Sequence, residues 1–129
     1  FAQNVRVTAK EIAADSREEE LMERVMEAVG RNIGNSEYTV DMLADDVCMS
    51  RASLYRNMRN ILGITPNDFI RNTRLKQAAR MLEETELSVN EISVRVGFGS
   101  PRYFATQFRK LFGVLPSEYR SPDSERQKG

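Results

Sequence analysis

Residues 88–113 of the chain read SVNEISVRVGFGSPRYFATQFRKLFG, and this stretch decides the fold. Ser88 and the glutamate three residues later have the spacing of a capping box, in which the two side chains bind the first free amides of a helix. The short helix that follows ends at Gly97, and Ser100 begins a longer helix that ends at Gly113. A short helix, a tight turn and a longer helix predict a helix-turn-helix unit.

A copy of this unit lies about 50 residues earlier in the chain. Thr39 matches Ser88 at an offset of 49, and one residue is then inserted in the turn, so that Ser50 matches Ser100 at an offset of 50. Two copies are too few for a solenoid, so the repeat indicates a pair of helix-turn-helix units. The predicted elements are a first unit over 39–63, a long connecting helix over 66–84 and the second unit over 88–113.

The remaining segments predict two more helices. Ser16 and Glu19 form another capping-box pattern, which predicts a first helix over 17–33, and Pro116 opens a last turn. The fold class is therefore all-α, with about seven helices and a domain over 17–120. Residues 1–16 are expected to be a linker and residues 121–129 a disordered tail. Apolar side chains at helical spacing are expected to face inward: Met22, Val25, Met26, Val29, Ile33, Leu54, Met58, Ile61, Leu62, Leu75, Ala78, Ala79, Leu82, Phe104, Phe108, Leu111 and Phe112.

The composition excludes several classes of function. The 129 residues include no histidine and a single cysteine, which excludes a Cys/His zinc site, a disulfide framework and histidine-based catalysis. No group of residues has the spacing of a nucleophile with its base, so we expect no catalytic residue, no metal and no cofactor. We also expect no membrane-spanning segment and no secretion signal, because no apolar run approaches 18 residues.

Charge is distributed in blocks although its total is zero. The formal net charge of zero and the pI of about 6.6 would, taken alone, argue against nucleic acid as a partner. Divided along the chain, the net charge is −6 over residues 1–48, +6 over 49–82, −3 over 83–99 and +3 over 100–129. Both basic blocks contain the longer helix of a helix-turn-helix unit.

The outward faces of these two longer helices contain no acid. Apolar positions turn the opposite side of each helix toward solvent, at 100° per residue. In the first unit that side is Ala52, Arg56, Arg59 and Asn60, flanked by Arg51, Ser53 and Tyr55; in the second it is Arg102, Thr106, Arg109 and Lys110, flanked by Pro101, Tyr103 and Gln107. A single basic face is often only a solvated surface, but two at matched positions favour contact with DNA phosphates.

Position along each helix predicts the role of each residue. The first two turns of a recognition helix can enter the major groove, and arginine there suits guanine. A turn later the helix leaves the groove and suits phosphate, as do helix N-termini. The base-reading candidates are Ala52, Arg56, Arg102 and Thr106, with Ser53, Tyr55 and Gln107 as secondary ones; the phosphate candidates are Ser50, Arg51, Arg59, Asn60, Ser100, Arg109 and Lys110.

These residues resemble the AraC/XylS-type DNA-binding domain, which has seven helices and two helix-turn-helix units joined by a long central helix. The resemblance runs from about Asn35 to Arg120 and is strongest over residues 94–120. It implies a sequence-specific transcription regulator in which the first unit supplies most base specificity, which favours Ala52 and Arg56. Family members commonly carry glycine where this chain has Cys48. We interpret Cys48 as a small, mostly buried turn residue, in preference to a redox sensor.

The front of the chain resembles a different element. Residues 4–12, followed by an acidic helix, are similar to the linker after the receiver domain of hybrid two-component regulators. The resemblance implies control by phosphorylation of a preceding receiver domain, homodimerisation of the full-length protein, and double-stranded DNA as partner, with RNA polymerase as a further candidate. It also implies a cytoplasmic location for this part of the chain, which is compatible with an inner-membrane sensor as parent.

One alternative belongs to another functional class. The same acidic helix and basic faces would also suit a helical module that binds protein partners. Salt separates the two hypotheses, because phosphate contacts make affinity fall steeply with salt concentration.

Overall fold

The computed structural model describes residues 9–120 of the chain. Over this range it contains seven helices and no strand, which confirms the all-α prediction. The helices are α1 (Ala9–Arg31), α2 (Val40–Asp46), α3 (Arg51–Leu62), α4 (Pro66–Glu84), α5 (Val89–Arg95), α6 (Pro101–Phe112) and α7 (116–120). The first eight residues of the predicted linker and the predicted disordered tail, 121–129, lie outside the described residues.

Helices α2 to α6 begin where the capping pattern predicts. Each is preceded by a serine or threonine whose hydroxyl oxygen accepts a hydrogen bond from a backbone amide in the first turn, and Ser88 and Glu91 form both bonds of the predicted capping box. The five capping residues are Thr39, Ser50, Thr65, Ser88 and Ser100. Gly63 and Gly113 end α3 and α6 in the left-handed conformation.

The first helix differs from its prediction in two respects. It begins at Ala9, so Ser16 lies inside the helix and the predicted capping box does not start it. Residues 9–15 include three alanines and neither glycine nor proline, so nothing in them stops a helix. The buried stripe is Leu21, Val25, Ala28 and Val29. Met26, predicted to face inward, is 54% exposed, because the side of α1 that packs is turned toward Leu21 and Ala28.

Two hydrophobic cores share the long helix. The first is formed by α1, α2 and α3 and reaches Ile70 near the start of α4; the second is formed by the later part of α4 with α5 and α6. The inward prediction is confirmed for Leu54, Met58, Leu75, Ala78, Ala79, Leu82, Phe104 and Phe108. It is wrong for Leu62 and Leu111, which are 42% and 39% exposed, whereas Ile61 and Phe112 in the same last turns pack against the cores.

Arg74 on α4 is buried, and it ties the two units together. Its guanidinium donates to the carbonyl oxygens of Ile33 and Asn35 after α1, and to that of Val96 at the end of α5, with 2.9 Å to both Asn35 and Val96. Burial lowers the pKa of Arg74 below its usual value. A single side chain therefore fixes where α1 and α5 end relative to the middle of α4.

Candidate nucleic-acid interface

The outward face of α3 is exposed as the sequence predicts. Six of the eight candidates in the first unit are exposed: Ser50, Arg51, Ala52, Arg56, Arg59 and Asn60. Leu54 and Met58, on the opposite side of the helix, are completely buried. The helix sequence, RASLYRNMRNIL, contains no acid. This face therefore presents three arginines without a carboxylate on the same helix.

Two of the first-unit candidates are only half-exposed. Ser53 accepts a hydrogen bond from Arg56 Nη2 at 3.3 Å, so the two side chains are joined on the surface of α3. Tyr55 packs against the first core, and its hydroxyl accepts a hydrogen bond from Asn67 Nδ2 of α4 at 3.2 Å. Much of the Tyr55 side chain therefore packs inside the protein, and its hydroxyl lies between α3 and α4.

Arg51 is held in place at the first position of α3. Its guanidinium lies over the Tyr55 ring, 5.5 Å from the ring centroid, and 3.5 Å from Asp41 Oδ1 of α2. The hydrogen bond to Tyr55, followed by the charge of Asp41, raises the pKa of Arg51. These contacts orient the cation beside the N-terminus of α3, an end of a helix that favours anions.

The outward face of α6 repeats the arrangement. Ser100, Arg102, Thr106, Arg109 and Lys110 are exposed, and Gln107 is half-exposed. The Thr106 hydroxyl donates to the backbone oxygen of Arg102 at 3.0 Å. The helix sequence, PRYFATQFRKLF, again contains no acid.

Aromatic packing holds α6 in position. Phe104 and Phe108 are completely buried, and neighbouring rings follow one another from Phe98 through these two to Phe112 and Tyr119, with centroids 4.6–5.8 Å apart. Ring pairs at such distances are favourable beyond the area that they bury. These rings therefore pack α6 against the second core and leave its opposite face toward solvent.

The hydroxyl group of each capping serine can accept one hydrogen bond and donate another. Ser50 and Ser100 accept bonds from the amides of Ser53 and Tyr103 at 3.1 and 3.2 Å. A serine hydroxyl that accepts through its oxygen retains a proton to donate. Both serines are thus able to donate to an anion at the start of a recognition helix without losing the cap.

Cys48 differs from its interpretation as a buried residue. It has a φ of 59°, the one positive φ of a non-glycine residue in the described part of the chain, and its side chain is exposed. The turn between α2 and α3 therefore has the left-handed backbone that glycine would favour, with the thiol directed away from the core.

Arg71 and Asn67, which the sequence prediction left out, lie on α4 between the two faces. A crevice between the units is lined by both residues together with Gly97, Gly99 and Tyr103. No sequence signal singles them out, because their position between the two faces depends on how the two units pack on α4. Among the helices within residues 9–120, there is no candidate for a membrane-spanning segment.

Two recognition helices with acid-free outward faces, each in a helix-turn-helix unit, define a DNA-binding domain of the kind found in transcription regulators. A family model described as a helix-turn-helix domain matches residues 43–122. The chain belongs to the AraC-type family of DNA-binding transcription regulators.

Three relatives illustrate the range of the similarity. The histidine kinase P4 of Formosa agariphila is 34% identical over 125 residues, which is 97% of this chain and 9% of that protein. The C-terminal domain of AraT, a response regulator from Geobacillus stearothermophilus, has a TM-score of 0.72 at 29% identity, over 89% of this chain and 86% of that one. The DNA-binding domain of AdpA, a global transcriptional factor solved with a target DNA, has a TM-score of 0.75 at 33% identity, over 84% and 97% of the two chains.

The curated relatives are much longer than this chain. It spans 9% of the histidine kinase P4, 30% of the regulator MtrA of Neisseria gonorrhoeae and 22% of the xylose operon regulatory protein of Escherichia coli. The similarity therefore concerns only a part of each of these proteins.

Proposed function

We propose that the domain reads a specific DNA sequence by inserting α3 and α6 into two successive major grooves on one side of the duplex. The observation that carries the proposal is the pair of exposed, acid-free faces at equivalent positions of the two recognition helices. Successive grooves on one side of B-DNA are about 34 Å apart. Helix α4 connects the units and belongs to both cores, which supports a fixed separation.

Within this proposal the residues divide into two groups. Ala52, Arg56, Arg102 and Thr106 contact base edges, with Ser53, Tyr55 and Gln107 as secondary contacts. Arg59, Asn60, Arg109 and Lys110 bind phosphates later in each helix, and Ser50, Arg51 and Ser100 bind them at the helix N-termini. The half-buried position of Tyr55 makes it the weakest of the base-reading candidates.

The domain is further proposed to be the output of a phosphorelay protein. The histidine kinase P4 aligns over nearly the whole chain, and the C-terminal domain of the response regulator AraT has the same fold. In this proposal residues 1–16 connect a receiver domain to the DNA-binding domain at 17–120, and phosphorylation of the receiver brings two copies together on DNA in the cytoplasm. RNA polymerase is the further partner expected of a transcription regulator.

Selection of bound sequences from a random duplex pool tests the proposal. We expect a motif with two boxes one helical turn apart, and an affinity that falls steeply with salt. Arg56→Ala should lose about 1–3 kcal/mol of discrimination at one base position. Arg59→Ala should instead weaken binding to all sequences alike.

Two results would contradict this function. Sequence-indifferent binding that survives Arg56→Ala would remove the base-reading role of that residue. A flat salt response with no affinity for duplex DNA would favour the protein-interaction module instead.

A further inference from the structure

The two recognition faces are joined by a continuous polar strip on α4. Tyr55 of α3 meets Asn67 of α4 through a hydrogen bond of 3.2 Å, and Arg71 follows Asn67 one helical turn later. A second depression joins Arg71 to Gln107 and Lys110 of α6. The strip thus runs from one recognition helix to the other along the first two turns of α4.

Arg71 is the cation at the centre of this strip, and it is held there. Its Nη2 donates to Asp68 Oδ1 at 2.7 Å, and the two side chains are 33% and 38% exposed. The hydrogen bond from Arg71 keeps the pKa of Asp68 below its usual value, so the carboxylate stays charged and orients the guanidinium. Arg71 makes this one hydrogen bond within the described residues, which leaves its remaining N–H groups to bind a ligand.

We propose that Arg71 binds a phosphate of the DNA backbone between the two major grooves, which makes α4 a third DNA-contacting element beside α3 and α6. The inference rests on the proposed function. If α3 and α6 enter successive grooves of one duplex, the strip between them faces the intervening minor groove and its flanking phosphates. A planar guanidinium with unused donors is well suited to phosphate. The contact would fix the register of the two recognition helices on DNA.

The chain offers a matched control on the same helix. Arg80 is exposed, and it follows Arg71 by nine residues, which places it on the opposite side of α4 at 100° per residue. It lines a groove with Met26 and Ile33 on the α1 side. Arg71→Gln and Arg80→Gln therefore remove the same charge from the same helix, on opposite sides.

The first test measures the affinity of the 129-residue protein for a duplex carrying the selected sequence, as a function of salt. Arg71→Gln should lower affinity about tenfold for selected and scrambled duplexes alike. It should also reduce the slope of log affinity against log salt by about 0.9, the value of one phosphate contact. Arg80→Gln should leave affinity and slope within error of the wild type. Equal effects of the two variants, or an Arg71→Gln loss with unchanged slope, would overturn the inference.

The second test uses duplexes in which single phosphates between the two boxes are replaced by neutral methylphosphonates. The wild type should lose affinity at one or two positions, and Arg71→Gln should lose none at those positions. Arg59→Gln should remain as sensitive there as the wild type, because its phosphate lies elsewhere. If Arg71→Gln stays as sensitive as the wild type at every position, the contact does not exist.

These experiments also distinguish a failure of the Arg71 contact from a failure of the proposed DNA-binding function. If Arg59→Gln reduces duplex affinity and the salt slope while Arg71→Gln changes neither, the recognition helices bind DNA and only the α4 contact is wrong. If the wild type has no salt-dependent affinity for either duplex, the proposed function itself fails.

Discussion

At the residue scale, Gly97 and Cys48 lie at equivalent positions of the two turns, but only the turn of Cys48 has room for a side chain. Both have positive φ, 88° for Gly97 and 59° for Cys48. A Cβ added to Gly97 would overlap Arg74 Nη1 and the carbonyl oxygen of Ile33, whereas the Cys48 side chain is exposed. The second turn therefore needs glycine for space as well as for backbone conformation, because the buried arginine fills the position of a side chain.

Replacing Gly97 tests this explanation. We expect Gly63→Ala to cost about 1 kcal/mol of unfolding free energy, since its φ is 75° and no atom lies within 4 Å of the added Cβ. Gly97→Ala should cost at least about 2 kcal/mol more, because of the overlap with Arg74. Urea unfolding of both variants gives the comparison. Equal costs would show that the backbone conformation alone requires the glycine.

Replacing Cys48 with glycine should instead increase stability. A side chain at a left-handed position is strained, so Cys48→Gly should raise the unfolding free energy by about 1 kcal/mol. Cys48→Ser retains the Cβ and is the control, with no expected gain. The measurement is again urea unfolding under reducing conditions. A loss of stability in the glycine variant would mean that the flexibility gained by the unfolded chain exceeds the strain relieved.

At the scale of elements, α4 decides how the two units are arranged. Its first turns pack on the α1–α3 core and its later turns on the α5–α6 core. Arg74 lies on the stripe of Ile70, Ala78 and Leu82, and a cation at an apolar position is the signal by which its burial could have been found. Its role could not be found from sequence, because its acceptors lie 22 to 41 residues away.

Arg74→Met should remove the hydrogen bonds that join α4 to the ends of α1 and α5. Methionine fills much of the volume but removes the Arg74 donor from the carbonyl oxygens of Ile33 and Val96, while that of Asn35 keeps only the amide of Tyr38. We expect a loss of about 3 kcal/mol or more, since unpaired buried polar groups are costly. Arg80→Met, at an exposed position of the same helix, should change stability by less than about 0.5 kcal/mol. Similar losses in both variants would argue against the buried bonds as the cause.

At the scale of the whole molecule, the placement of charge matters more than its total. The formal net charge is zero, yet α3 and α6 contain basic residues and no acid. Of the 19 acidic residues, seven lie in α1 and three each in α2 and α4. Electrostatic attraction to DNA therefore depends on the positive charge of α3 and α6 and not on the net charge of the chain.

The composition also predicts that the affinity for DNA changes little with pH. The chain has no histidine, and arginine and lysine side chains stay protonated around neutrality, so affinity for duplex DNA should change less than about twofold between pH 6 and pH 8 at constant salt. Arg59→His is the comparison: its imidazole is charged at pH 6 and neutral at pH 8, so its affinity should fall as pH rises. A fall in the wild type as well would indicate another titrating group at the interface.

The sequence by itself determined the local elements and their outward faces, because caps, glycine stops and apolar spacing act within a few residues. It located α3 and α6 with their ends and predicted which of their side chains reach solvent, apart from Leu62 and Leu111, which are exposed, and Ser53, Tyr55 and Gln107, which are only half-exposed. Only the tertiary structure decided which side of α1 packs, how Arg74 joins the units, and that Arg71 lies between the recognition faces. Those features depend on contacts between distant residues, which the pattern of neighbouring residues does not record.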